Sequence, residues 1–464
     1  MSFSLPSSRI RKRVRDRDRP NLIWLFGDQH RHHATGYAGD ANLHTPNLNH
    51  LSLTGFTCAG GSVSGYPLCC PFRGSLLSGV YPHRCIPVHE APFPIGMKTV
   101  ATPFNEAGYD TAWFGKWHVD GCPEAKERAA YWVVPPERRG GFQEWVGYEN
   151  NNSQFDTWVH GGRGGGTEPW KLEGYETDAL TNLFLDYLER RSGDPGTPFF
   201  AALSVQPPHW PMQCPAEFAT LRPGHARPRP NVPPGSAAER GFHLAAPAYY
   251  GMIQNWDWNI GRVLAALRRL NLAESTHILV FSDHGEMLGS HGRFGKVLPY
   301  EESVRTPFIM GGADFFYNHQ VAGDGPTMGR AEPAHTDILI NHVDIAPTSL
   351  GLCGLAVPND MEGFDYSFVR RGEPAPVDVP DCALIQAIEP REQSPAYRAI
   401  LTRDGWKFAC TENGPWLLFN LRDDPYEMNN LAQVPSASGI RHSLQERLVQ
   451  KLSSVGDDFV LPGL

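Results

Sequence analysis

Apolar residues along this chain fall in short, dense runs with polar punctuation. Asn21-Leu-Ile-Trp-Leu-Phe26 stops at Gly27-Asp28, the pattern of a strand buried on both faces that ends in a carboxylate. His277-Ile-Leu-Val-Phe-Ser282 repeats it and stops at Asp283-His284-Gly285-Glu286. Thr111–Phe114 and Phe199–Ser204 are further strand-like runs, leading into Gly115-Lys116-Trp117-His118 and Pro207-Pro208-His209. Between the runs, apolar residues recur at helical spacing over Asp178–Arg191 and over Tyr249–Leu270. This alternation predicts an α/β domain. Ligands of such sheets sit beyond the carboxyl ends of parallel strands, so Asp28 and Asp283 are expected to be neighbours.

From about Gly363 the pattern changes to short strands, at Cys382–Ala387, Tyr397–Thr402 and Trp416–Asn420, with a closing helix near Leu444–Leu452. It reads as a smaller α+β subdomain, giving a division into a basic tail (1–19), a catalytic domain (20–362) and a C-terminal subdomain (363–464). Between Asp120 and Glu176 the chain is rich in Gly, Asn and Trp and reads as a long insertion. Its run Gly161-Gly-Arg-Gly-Gly-Gly166 has neither the preceding strand nor the following Lys-Ser/Thr of a phosphate loop, and is expected to be a flexible loop. Trp132, Trp145, Trp158 and Trp170 of the insertion are candidates either to frame a pocket or for ordinary packing.

Charge narrows the partners. With 41 Lys and Arg against 50 Asp and Glu, the formal net charge is −9, and no overall basic field recruits nucleic acid or an anionic membrane. The seven basic residues from Arg9 to Arg19 are broken by Asp16 and Asp18 and read as a solvated tail rather than a transit peptide. No stretch nears the ~18–20 apolar residues of a membrane helix, and the N-terminus lacks the apolar heart of a secretory signal, so the expectation is a cytoplasmic protein. Nine cysteines without a C-x-x-C are read mostly as buried free thiols. The partner is expected to be a small molecule.

The most informative stretch is Cys69-Cys70-Pro71-Phe72-Arg73-Gly74-Ser75, of the form C-x-P-x-R. Alone it is weak, but it is joined by Asp28-Gln29, Gly115-Lys116-Trp117-His118, Pro207-Pro208-His209, Ser282–Glu286 and His291–Lys296. Further matches are Thr45-Pro-Asn-Leu48, Glu301–Pro307 and Phe419–Leu431. In this order the motifs resemble the sulfatase family of the alkaline-phosphatase-like superfamily, from Pro20 to the C-terminal helix. The resemblance implies a large mixed sheet sandwiched by helices with a smaller C-terminal α+β subdomain. It also implies hydrolysis of an organic sulfate monoester, aryl or carbohydrate, through a covalent sulfate ester on a modified residue.

The roles that the resemblance implies for single residues rest on the chemistry of an anionic ester, which needs positive charge on its oxygens and an in-line oxygen nucleophile. Cys69 is the residue with Pro and Arg at the required offsets, and so the one oxidised to formylglycine by a formylglycine-generating enzyme. Cys70 is expected to point away, if the segment is extended, and to act as packing. Asp28, Gln29, Asp283 and His284, with the modified Cys69, would hold one divalent metal ion. Lys116 and Lys296 would hold sulfate oxygens, Arg73 would fix the formylglycine hydrate, His118 would take a proton from it, and His209 would serve the leaving oxygen. The commoner family pattern has three aspartates and one asparagine on calcium. Gln29 and His284 remove a negative charge and add a nitrogen donor, which leaves Ca2+ or Mn2+ as candidates and resembles phosphonate monoester hydrolases as well. Phosphonate monoester or phosphodiester hydrolysis is therefore the alternative reading, and an unmodified, non-catalytic binder of sulfated glycans is a third. His30, His32 and His33 are expected on a loop surface. The oligomeric state, monomer or homo-oligomer, stays open.

Overall fold

The computed structural model describes residues 19–58, 60–124, 128–312, 338–391 and 393–462. The basic tail, Arg19 excepted, lies outside the described residues. At the centre is β1 (Asn21–Gly27), buried at every position, which explains its unbroken apolar reading. Fourteen further strands follow: β2 (Phe56–Thr57), β3 (Ser62–Val63), β4 (Asp110–Lys116), β5 (Glu144–Tyr148), β6 (Trp158–Arg163), β7 (Trp170–Lys171), β8 (Phe199–Ser204), β9 (Thr276–Ser282), β10 (Arg305–Thr306), β11 (Phe308–Gly311), β12 (Cys382–Ala387), β13 (Tyr397–Thr402), β14 (Trp406–Thr411) and β15 (Gly414–Asn420). The large sheet has the order β2-β11-β9-β1-β8-β4-β5-β6-β7. Its middle five strands, β9-β1-β8-β4-β5, are parallel, and its edges are antiparallel.

Alternate side chains of β1 feed two cores. Leu22, Trp24 and Phe26 pack with Phe72, Leu76 and Leu77 of helix α1 (Cys69–Ser78). Ile23 and Leu25 pack with Phe184 and Leu188 of α2 (Glu176–Ser192) and with Trp256, Ile260 and Val263 of α3 (Ala237–Arg269). The sheet is thus covered on both faces. Helix α3 begins twelve residues before the expected Tyr249, capped by Ser236 Oγ, which accepts from the Glu239 amide at 3.1 Å; Pro247 lies inside the helix and masks that early start in the sequence.

The region read as an insertion is a correction: β5 extends the parallel sheet and β6 and β7 add its edge. Gly161 and Gly162, read as loop, lie in β6 with φ of 114° and 111°. A Cβ on Gly161 would stand 1.9 Å from the Trp145 carbonyl, so glycine is required there by close strand approach. Trp145 is buried core and Trp132 donates from Nε1 to Asp120 Oδ2 at 2.7 Å. Neither of these, nor Trp158 or Trp170, lines the cavity at the carboxyl edge of the sheet.

The C-terminal sheet is an antiparallel meander, β12-β13-β14-β15. One face packs on Tyr66, Leu68, Val297 and Val304, and the other lies under Leu444, Leu448 and Leu452 of helix α4 (Ser438–Val455). The strand β14 carries no separate signal in the sequence. Tyr397 Oη donates to the Val297 carbonyl at 2.7 Å and Lys407 Nζ to that of Pro299 at 2.9 Å, so the small sheet braces the segment that bears Lys296. Among the described residues no helix is long and apolar enough to cross a membrane. All nine cysteines are free, seven of them buried.

Candidate active site

Register explains why distant residues meet. Gly27 of β1 pairs with Ser282 of β9, Phe26 with Ser204 of β8, and Gly115 of β4 with both Ser204 and Gly147 of β5. The residues just beyond each pairing, Asp28-Gln29, Asp283-His284, Lys116–His118 and Gln206–His209, therefore emerge side by side at the carboxyl edge, as the topology requires. Gln29 and His118 take left-handed φ of 69° and 58° immediately beyond their strands, a backbone state that ordinary residues rarely adopt.

Cys69 is the first residue of α1, so the expected extended segment is in fact helical, and Pro71 fits because the first turn needs no donor there. Four residues on, Arg73 lies on the same helix face. Fully buried, it ties the strand ends together: Nη1 donates to the Lys116 carbonyl and to Ser204 Oγ, both at 2.9 Å, Nη2 pairs with Asp28 Oδ2 at 3.4 Å, and Nε lies 3.6 Å from Asp283 Oδ2. Lys116 Nζ is 2.7 Å from Asp28 Oδ2. Burial acts against Asp28's charge, but Lys116 and then the other cationic groups hold its carboxyl well below the usual range.

The donor atoms of Asp28, Cys69, Asp283 and His284 lie within 4.8 Å of one another, and all four residues are buried. His284 Nδ1–H donates to the Gly285 carbonyl at 3.0 Å, which turns the lone pair of Nε2 toward Cys69 Sγ at 3.1 Å and Asp28 Oδ1 at 3.4 Å. Burial, then Lys296, keeps this ring well below the ordinary histidine range, hence neutral. Asp283 Oδ2 is buried without a hydrogen-bond partner among the described residues. Gln29 completes the set: its amide nitrogen donates to Glu286 and its Oε1 accepts from Lys296 Nζ at 2.9 Å. Two carboxylates, an amide oxygen and a neutral imidazole, with one carboxylate oxygen free of hydrogen bonds among the described residues, fit a divalent cation. Lys296 Nζ also donates to Cys69 Sγ at 3.3 Å. Burial, then Asp28, pushes the Cys69 thiol up to about 12, so the unmodified side chain carries no thiolate at neutral pH.

A cavity of about 370 Å³ opens from this cluster. His118 and His209, expected at the site, both line it. His118 is buried, its Nε2 lies 2.7 Å from Glu124 Oε1, and burial followed by Lys116 lowers it to about 4, leaving a neutral base. His209 sits half-exposed at the mouth, with Nδ1 donating to the Trp210 carbonyl at 2.7 Å. Every expected site residue thus gathers at one edge of the sheet. His30 and His32 do not fit their surface expectation: both are buried, and His30 Nε2 bonds the Ala34 carbonyl at 2.9 Å.

Sequence reasoning missed Ser204, Glu286, Glu124 and the outer wall. Ser204 had a signal, since it ends a strand that borders β1. Glu286 also had one, as a buried carboxylate two residues past Asp283-His284; it accepts from the amides of Leu288 and Gly295 at 2.8 and 2.7 Å as well as from Gln29. Glu124, His89, Asn150, Asn152 and Arg391 line the cavity from segments without a pattern.

Comparison with known proteins agrees with this arrangement. The model of the sulfatase family matches residues 20–355, and that of the N-sulphoglucosamine sulphohydrolase C-terminal region matches 289–454. An ulvan-active sulfatase of Formosa agariphila is 32% identical, over 99% of this chain and 87% of its own length. An endo-4-O-sulfatase of Bacteroides thetaiotaomicron is 27% identical, over 92% of this chain and 91% of its own. A structure solved in work on glycosaminoglycan metabolism by B. thetaiotaomicron is 25% identical, with TM-score 0.80 over 95% of this chain and 97% of that one. The phosphonate monoester hydrolase of Agrobacterium radiobacter shares the fold, with 20% identity, TM-score 0.69 and coverage of 94% and 96%. With the family model over most of its length and these residues assembled at the strand ends, the chain belongs to the sulfatase family of the alkaline-phosphatase-like superfamily and is a sulfuric ester hydrolase.

Proposed function

We propose that the protein hydrolyses a carbohydrate sulfate monoester, with formylglycine at position 69 and one divalent metal ion. The carrying observation is the charge around Cys69: three buried or half-buried cations, Arg73, Lys116 and Lys296, face two buried carboxylates, Asp28 and Asp283. With the buried Glu286 carboxylate behind Gln29 counted as well, the cluster is balanced before any metal binds, and a divalent ion raises it to about two positive charges, which selects an anion. Asp28, Gln29, Asp283, His284 and the modified residue 69 would hold that ion, which supplies Lewis-acid stabilisation of the substrate's charge. The hydrated aldehyde at residue 69, made by a formylglycine-generating enzyme, would supply an attacking oxygen in place of a thiol that burial keeps protonated.

The other residues divide the remaining work. Lys296, 3.3 Å from Cys69 Sγ, and Lys116 hold sulfate oxygens, and residue 69 at the positive end of α1 adds a favourable helix field. Arg73 positions Asp28 and Asp283 against the strand ends. His118, neutral and oriented by Glu124, accepts a proton, and His209 at the mouth serves the departing alcohol oxygen. The curated relatives that act on ulvan and as an endo-4-O-sulfatase support a carbohydrate leaving group.

The test is a comparison of kcat/KM on an aryl sulfate, phenyl phosphonate and a panel of sulfated sugars with metal supplied, alongside peptide mass spectrometry of the fragment carrying residue 69. The reading expects the aldehyde at 69 and sulfated sugars preferred; phenyl phosphonate turned over faster than every sulfate would replace it with the phosphonate reading that Gln29 and His284 favour.

A further inference from the structure

Cys70 has no part in that scheme, yet it is not simply a packing group. Because the segment is helical, its side chain is turned about 100° from Cys69 rather than to the opposite face, and it meets two histidines. One ligand atom each from Cys70, His89 and His118 lie within 4.8 Å of one another. The two imidazole rings are 5.4 Å apart at 81°. Cys70 is 1% and His118 3% exposed, and Nδ1 of both His118 and His89 is buried without a hydrogen-bond partner among the described residues.

We propose that Cys70, His89 and His118 form a second metal site, for a thiophilic divalent cation such as zinc(II), set in the wall of the active-site cavity. One thiolate and two imidazoles are donors that zinc prefers over the oxygen-rich set at Asp28 and Asp283. Around a tetrahedral zinc such donors stand roughly 3.5 Å apart, so side-chain rotation of about an ångström closes the set. His89 and His118 line the cavity, which gives the ion its path and leaves a fourth position to water. Glu124, 2.7 Å from His118 Nε2, is placed to orient that ligand.

Binding moves no electrons: the Cys70 thiol proton leaves to solvent as the sulfur–zinc bond forms. Lys116 and Arg73 face His118 and oppose added positive charge, while Glu124, Glu149 near Cys70 and the new thiolate offset it. The consequence is reversible inhibition, because His118 bound to zinc accepts no proton. That consequence, not the binding, rests on the proton-accepting role of His118 in the proposed hydrolysis.

The test uses the enzyme loaded with its hydrolytic metal in excess. Added zinc chloride is expected to inhibit at micromolar concentration, with chelation reversing it, and Cys70→Ala and Cys70→Ser each shifting the inhibition constant upward by at least about tenfold. Cobalt(II) supplies a readout without turnover, a sulfur-to-cobalt charge-transfer absorption. It is expected in wild type and in Cys69→Ala, and absent from both Cys70 variants, whose fold is checked by circular dichroism. No band in wild type, a band that survives loss of Cys70, or a band lost with Cys69 overturns the site. The expected bands without zinc inhibition keep the site and overturn the role of His118 in turnover.

Discussion

Replacing Glu286 by glutamine isolates the orientation of a single amide. Lys296 has only donors to offer and the Glu286 carboxylate only acceptors, so Gln29, held between them, must present its oxygen to Lys296 and its nitrogen to Glu286. Glu286→Gln keeps an acceptor for the backbone amides of Leu288 and Gly295, at a cost of roughly 1–2 kcal/mol for the weaker neutral bonds. Its new amide, however, donates toward Gln29. The least costly answer is for the Gln29 amide to turn over, which brings its nitrogen against the Lys296 ammonium and the metal position. Loss of such an orienting partner costs about 10–100-fold in metal affinity and activity. Glu286→Ala orphans three donors, two of them buried at roughly 1–3 kcal/mol each, a large part of a typical 5–15 kcal/mol, and is expected to fail in stability first. Urea unfolding, calorimetric metal titration of chelator-treated protein and kcat/KM separate the two. A folded Glu286→Gln variant with native metal affinity and native kcat/KM would refute the placing of the Gln29 oxygen.

Cys69→Ala is expected to abolish turnover, by orders of magnitude, while Cys70→Ala leaves the rate within a few-fold at a cost on the order of 1 kcal/mol; initial rates with saturating metal decide, and near-native turnover by Cys69→Ala sinks the mechanism. Activity removed by a chelator is expected to return at least as well with manganese as with calcium, because Gln29 and His284 are a neutral oxygen and a nitrogen, and restoration by calcium alone contradicts that ligand argument. His342 is buried and lowered to about 3, against about 6.5 when unfolded. The folded protein therefore refuses a proton that the unfolded chain accepts, so its share of stability is full above about pH 6.5 and lost on acidification. The stability difference between wild type and His342→Gln should shift against wild type by roughly 1 kcal/mol from pH 7 to 5.5, in paired urea titrations, and a difference independent of pH in that range is the contrary result.

The legible parts of this protein are those where one physical demand dominates. A central parallel strand must be apolar on both faces, so β1 and β9 are visible as unbroken runs, and the residues at their carboxyl ends stand out as polar because they pair with Arg73 and Lys116 there. Asp28, Asp283, Lys116 and His209 were readable for that reason. The illegible parts answered to competing demands. Strand β5 hides among Gly, Asn and Trp because Gly147 and Gly161 serve close strand approach, and the start of α3 hides behind Pro247. His30 and His32 are polar by type but filled by packing and local hydrogen bonds, which no spacing announces. Cys70 was misjudged through the backbone: an extended segment reverses successive side chains, whereas a helix turns them by about 100° and delivers Cys70 to His89 and His118.

The same division explains why the chemistry is more legible than the leaving group. The residues proposed to handle anion and metal lie largely at strand ends, whose register a one-residue slip would destroy along the whole core, so those residues are tied to the pattern that builds the fold. The outer wall is not. Leu68 precedes α1, Asn150 and Asn152 lie just past β5, Phe294 lies in the turn before Lys296, and Arg391 and Ser394 come from the connection between β12 and β13 of the small sheet. Each of these side chains can change without moving β1, β8 or β9, because none shares the strand register. The small sheet nevertheless reaches the reaction centre twice, through Arg391 at the wall and through the Tyr397 and Lys407 bonds to the segment bearing Lys296. A substitution in β13 or β14 that loosened those two bonds would therefore act on Lys296, the lysine proposed to hold the anion, as well as on the cavity wall, although both strands lie outside the large sheet.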